Sequence, residues 1–97
     1  MPKKSQLPPR IPINRDTYEL GGDLQGHKLD HLCDAGEIKY AQESAYLPRD
    51  FFETYLQYKK EGGDLWWYRS EMPLCGTSGY AVVLGEFILK YAPVLIH

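Results

Sequence analysis

The side chains best suited to chemistry in this sequence are His27, His31, Cys33 and Cys75. Imidazole and thiolate are donors that a tetrahedral zinc ion takes, and on a helix His27 and His31 would lie one turn apart on one face. Cys33 and Cys75 would complete a four-ligand site. The paired Cys-x₂-Cys or His-Glu-x₂-His spacing of the common zinc motifs is absent. The same residues suit a different chemistry, in which Cys75 or Cys33 acts as nucleophile beside a histidine base. No spacing specifies that geometry, so no catalytic residue is assigned. Gly76-Thr77-Ser78-Gly79 is a further candidate, a run of backbone N–H groups of the kind that cradles an anion, but it lacks the lysine and spacing of a P-loop.

A second set points to binding. Trp66, Trp67, Tyr68 and Arg69 are the residue types that dominate interface hot spots. Successive side chains of a strand alternate, so Trp66 and Tyr68 face one way and Trp67 the other, leaving one indole for the core and one for the surface. Asp16, Glu19, Asp23, Asp30, Asp34 and Glu37 make the first half acidic, a surface that would complement a basic partner.

The elements that must position these residues are clearest at the C-terminal end. Asp64–Ser70, Gly79–Leu84 and Phe87–Ile96 are rich in aromatic and β-branched residues and are separated by Gly and Pro, which predicts a three-stranded antiparallel meander. Gly85-Glu86 puts Gly first in a two-residue loop, where a type II′ turn needs positive φ. Counting outward, Tyr80, Val82 and Leu84 share one face and Ala81 and Val83 the other, and neither is polar. On the last strand, Glu86, Ile88 and Lys90 are expected on a wetter face, and Lys90 and Pro93 suit an open edge.

Upstream, Pro48 to Glu61 carries a helix signature. Pro48 and Asp50 suit its start, Lys59 and Lys60 its end, and Gly62-Gly63 its stop. Phe52, Tyr55, Leu56 and Lys59 form a stripe flanked by Phe51 and Tyr58, which is expected to lie on the sheet. Glu37–Ala41 alternates polar and apolar residues and is expected as a fourth strand. The leucines between residues 20 and 32 admit a short helix from Asp23 to Cys33 stopped by Gly36, although Gly26 inside it costs about 1 kcal/mol against Ala. Residues 1–13, with Pro2, Pro8, Pro9 and Pro12, read as a flexible arm whose Ile11 and Ile13 are able to anchor it, followed by a single α+β domain over residues 14–97.

Gly63-Asp64-Leu65-Trp66-Trp67-Tyr68-Arg69-Ser70, Cys75-Gly76 and Ser78-Gly79-Tyr80-Ala81-Val82-Val83 ahead of a Gly hairpin make the C-terminal third resemble a set of small uncharacterised bacterial proteins. Those end in a Gly-Asp-x-Leu-Trp strand, a Gly-Tyr-Ala-x-Val strand and a short hairpin. The resemblance implies a fold fragment and no function. Where those proteins have an Asp-Gly-type turn, this chain has Leu84-Gly85-Glu86.

Composition narrows the function classes. The 97 residues suit one domain with one main core, and 43% hydrophobic content is near the globular norm. Eight tyrosines supply side chains that pack like apolar groups yet keep a polar tip. A net charge of −2 argues against a nucleic-acid-binding domain, which needs a basic surface. No apolar window is long enough to span a membrane, and Met1-Pro2-Lys3-Lys4-Ser5 does not open a signal peptide. Two cysteines without a secretory signal suit reduced thiols, so the expected setting is the cytoplasm, for a protein of a bacterium or its phage. The leading expectation is a non-catalytic protein-binding or regulatory module, with another protein or itself as partner and without a cofactor. The alternatives are a zinc-binding domain using His27, His31, Cys33 and Cys75, or a small Cys/His enzyme.

Overall fold

A computed structural model describes residues 10–44, 47–71 and 76–96. The chain is α+β, with a five-stranded antiparallel sheet and two helices. In chain order the elements are β1 (Ile11–Pro12), a 3₁₀ turn (Gly22–Leu24), β2 (His27–Leu32), α1 (Ala35–Glu43), α2 (Arg49–Lys59), β3 (Asp64–Ser70), β4 (Thr77–Leu84) and β5 (Phe87–Ile96). The sheet order is β1-β5-β4-β3-β2. Among the described residues no helix is long and apolar enough to cross a membrane.

The expected meander is present as β3, β4 and β5, closed by the Gly85-Glu86 turn with Leu84 opposite Phe87. Gly85 has φ +67°, and Glu86 is not in the positive-φ region, which is the asymmetry a type II′ turn requires. The alternation on β4 also holds. Ala81 and Val83 enter one core, and Tyr80 and Val82 the other. On β5 the expected alternation fails, because Val82 pairs with Lys90 while Val83 pairs with Ile88, leaving Leu89 as an extra residue. A bulge of this kind resets the in-out pattern, so Ile88 and Leu89 are both buried and Ile88 is not on a wetter face. β5 is not the open edge either. Ile11 and Pro12 pair with Ile88 and Phe87, and the sheet edges are β1 and β2.

Each face of the sheet is covered by a different part of the chain. Helix α2 turns Phe51 and Tyr55 onto Leu65, Tyr80, Val82 and Ala92, with Ala41 of α1, Leu47 and Cys33 completing that core. The opposite face buries Leu29, Tyr68, Ala81, Val83 and Ile88 beneath Ile11, Ile13, Leu20 and Leu24. Ile11 and Ile13 of the proline-rich arm therefore belong to the packed domain, while residues 1–9 lie outside the described residues. Full burial of each large side chain contributes about 1.5–3 kcal/mol, so two apolar faces on β4 require two covers.

Three expectations for the first half are corrected. Glu37–Ala41 is not a strand but part of α1. The Asp34 carboxylate accepts from the Glu37 N–H at 2.9 Å and the Glu37 carboxylate accepts from the Asp34 N–H at 3.4 Å. This reciprocal cap starts a helix, and five alternating residues are too few to oppose it. Gly36 accordingly lies in the first turn of α1 and does not end a preceding helix. The Asp23–Cys33 helix is replaced by the 3₁₀ turn and β2, since Gly22 and Gly26 hold φ of +55° and +93° on either side of Leu24. Helix α2 runs within the expected bounds with Pro48 as its N-cap, but its buried stripe runs through Phe51 and Tyr55, and Leu56 is 47% exposed.

Candidate functional site

Of the residues read as a metal tetrad, His27 is held apart from His31 and Cys33. His27 and His31 lie at opposite ends of β2, and four residues of extended chain span on the order of 13 Å. Their environments differ as well. His27 Nδ1 lies 3.1 Å from the Leu24 carbonyl oxygen, and His27 Nε2 lies 3.1 Å from Thr77 Oγ1. A carbonyl only accepts, so Nδ1 donates to Leu24, and in the neutral ring Nε2 accepts from the threonine hydroxyl. With its ring edge-on to Tyr68 at 5.6 Å, His27 ties the 3₁₀ turn to the start of β4. Its role is structural. Cys75 lies outside the described residues.

His31 and Cys33 do come together, with Glu37 as an unexpected third member. One ligand atom from each of the three lies within 4.8 Å of the others. The end of β2 supplies His31, the bend into α1 supplies Cys33, and the first turn of α1 supplies Glu37. His31 Nε2 sits 2.9 Å from Glu37 Oε1, and Cys33 N–H donates to the Leu65 carbonyl at 2.9 Å. Burial, reinforced by the charges of Glu37 and Asp34, pushes the Cys33 thiol up to about 12. An activated nucleophilic thiol is shifted the other way, and His31 Nε2 is engaged by Glu37, so this Cys–His pair lacks the features of a nucleophile and its base.

The anion-cradle expectation for Gly76–Gly79 is not met at the residues described. Thr77, Ser78 and Gly79 form the start of β4, with Ser78 opposite Arg69 and Leu95, and Gly79 opposite Tyr68 and Pro93. A Cβ on Gly79 would collide with the Ala92 carbonyl oxygen and lie 2.8 Å from Pro93 Cα. The glycine serves close backbone approach at a second β5 bulge, between Ser78 and Gly79.

The aromatic run on β3 is split between faces as alternation requires. Tyr68 is fully buried and Trp66 packs on the same core, whereas Trp67 packs on the helix-side core, edge-on to Tyr80 at 5.0 Å. Both indoles are half-buried, so neither is purely core nor purely surface. Tyr68 is a core residue, and Arg69 is exposed, its Nε 4.0 Å from Asp30.

What sits over Trp66 was not visible in the sequence. Tyr18 stacks on it with ring centroids 5.6 Å apart at 29°, and the Arg15 guanidinium lies 5.6 Å from the Tyr18 ring centroid. Tyr18 has φ +64°, a left-handed conformation that a bulky residue seldom takes and that costs about 1–2 kcal/mol. The aromatic stack, at about 0.5–1.5 kcal/mol, and the exposed cation–π contact, at about 0.5–1, are together large enough to offset it. The Tyr18 carbonyl also accepts from Leu29 N–H at 2.9 Å, fixing the segment against the outer edge of β2. Beside the stack lies an open concavity of about 320 Å³ lined by Tyr18, Leu29 and the charged Lys28, Asp30, Arg69 and Glu71.

The sequence signal for Glu37 was the Asp34-x-x-Glu37 capping pattern, which also accounts for two of the six acidic residues read as a patch. No local signal marks Tyr18, because its partner is 48 positions along the chain. The chain matches no protein-family model, no curated protein and no solved structure.

Proposed function

We propose that this chain is a small non-catalytic protein-binding or regulatory module, and that it binds through the Arg15–Tyr18–Trp66 stack and the charged concavity beside it. The observation that carries this reading is Tyr18, held at φ +64° with its ring stacked on Trp66 and 38% exposed. Backbone strain concentrates where a side chain has to be presented in one orientation. Tyr, Trp and Arg are also the side chains that give large contact area in binding hot spots, and all three types meet here. Lys28, Asp30, Arg69 and Glu71 supply an alternating charged rim that would set the register of a partner.

The exposed pairs on this rim, at 3.9 Å for Lys28–Glu71 and 4.0 Å for Arg69–Asp30, are of a kind that contributes little to stability. They are therefore inexpensive to exchange for a partner's charges. A protein partner in the bacterial cytoplasm, or a second copy of the chain, suits this mixed surface better than nucleic acid, given the net charge of −2.

The test is quantitative capture from source-cell lysate on immobilised wild-type chain, Tyr18→Gly and Arg69→Glu, with a dilution series of melting curves for self-association. Removing a hot-spot tyrosine is expected to cost about 2 kcal/mol of binding, roughly thirtyfold in Kd. Proteins retained equally by all three forms, with melting independent of concentration, would refute the reading.

A further inference from the structure

We propose that His31, Cys33 and Glu37 form a site for one zinc ion, with three protein ligands and a fourth position open to solvent. It lies on the helix side of the sheet, whereas the Tyr18–Trp66 stack lies against the opposite core. The ligand set differs from the one the sequence suggests, because Glu37 takes part and His27 does not.

The geometry is close to what the metal requires. Zinc bond lengths of about 2.0–2.3 Å in a tetrahedron place ligand atoms roughly 3.3–3.6 Å apart. Here the three ligand atoms fall within 4.8 Å of one another and His31 Nε2 and Glu37 Oε1 are already 2.9 Å apart. Small side-chain rotations reach the metal distances, and the His31 and Glu37 side chains are free to make them, being 50% and 42% exposed. Backbone anchors hold the frame. The Asp34 N–H donates to Glu37 Oε2 and Cys33 N–H donates to Leu65, which limits how far the ligands can stray.

Electrostatics has two opposing parts. The N-terminus of α1 carries a positive partial charge, which by itself disfavours a cation. Asp34 and Glu37 both sit on that terminus, and two carboxylates outweigh a dipole end worth about half a charge. The result is a locally negative pocket around a thiol.

Proton balance is simple. In the metal-free site His31 Nε2 carries the proton it donates to Glu37. Binding replaces that hydrogen bond by two metal bonds, the Nε2 proton passes to solvent while Nδ1 holds the one proton of the neutral ring, and the Cys33 thiol proton is released to solvent as the Zn–S bond forms. A nitrogen, sulfur and carboxylate-oxygen set selects zinc over the hard cations magnesium and calcium. An exposed His–Glu pair is worth little alone and does not account for a thiol sulfur within the same 4.8 Å.

The experiment is a cobalt(II) titration of the purified full chain, followed by displacement with zinc. One equivalent of cobalt should give a thiolate-to-metal charge-transfer band, and one equivalent of zinc should remove it. The band is expected to persist in His27→Gln and Cys75→Ser and to vanish in Cys33→Ser. In His31→Gln and Glu37→Gln, affinity should fall by roughly tenfold or more, the scale already seen when outer-shell partners are lost. Glu37→Gln is the informative variant, because glutamine serves equally at the third position of a capping box and so preserves α1. Unchanged melting of the metal-free variants separates loss of ligand from loss of fold. The proposal is overturned if the wild type gives no thiolate band, if Glu37→Gln binds as the wild type does, or if the band depends on Cys75 or His27.

Discussion

The left-handed Tyr18 makes a prediction whose sign is unusual. Consider Tyr18→Ala and Tyr18→Gly side by side. Both lose the ring, its stack on Trp66 and the Arg15 contact, so those contributions cancel in the comparison. What differs is the backbone. Alanine keeps a Cβ at φ +64°, which costs about 1–2 kcal/mol, and glycine adopts that conformation freely. Glycine also carries the larger unfolded-chain entropy, a disadvantage of about 0.5–1 kcal/mol. Strain therefore wins, and the glycine variant should be the more stable by about 0.5–1 kcal/mol. At an ordinary position the order is reversed. For a domain of this size that difference corresponds to roughly 2–8 °C in Tm. Thermal and urea unfolding of the two variants measure it. If alanine equals or exceeds glycine, Tyr18 is not held in the left-handed region and the argument that strain presents its ring fails. Partner capture supplies the second reading, since both variants lack the ring and should be equally weakened.

Two further predictions concern the sheet. The Tyr68 hydroxyl is buried and meets hydrogen-bond geometry with no partner among the described residues, and burial, with a smaller contribution from Tyr91 and a partial offset from nearby Thr77, pushes it from 10.0 up to about 12. Because the folded value is the higher one, the stability this group confers is complete below pH 10.0 and declines as pH climbs toward about 12. Tyr68→Phe should then be neutral or stabilising at pH 7 and should lose less stability under alkali, as urea midpoints across that range will report; destabilisation by more than about 1 kcal/mol would mean the hydroxyl is bonded after all. Gly79→Ala is expected to cost about 1–3 kcal/mol or more through collision with the backbone of Ala92 and Pro93, a loss visible in chemical denaturation and inconsistent with a merely flexible loop glycine.

Sequence alone determined the features that depend on neighbours along the chain. The Gly85-Glu86 hairpin, the three C-terminal strands and helix α2 were legible because turn chemistry, period-two alternation and helix stop signals are local. So was the division of Trp66 and Tyr68 from Trp67, a consequence of strand pleat. The Asp34–Glu37 cap was equally local, but its signal competed with a short alternating pattern. Tertiary structure decided the rest. The bulge at Leu89 arises from pairing between two strands, and so does the placement of β1 beside β5. Leucines between residues 20 and 32 fit more than one element, and it is pairing with β3 that makes His27–Leu32 a strand and sends its histidines to separate sites. His31, Cys33 and Glu37 meet because a strand end and a helix start are joined by a tight bend. Tyr18 meets Trp66 because the N-terminal segment folds over a face that the helices leave uncovered. Long-range packing selects among conformations that local propensity leaves nearly equal in energy, and both candidate sites are made there.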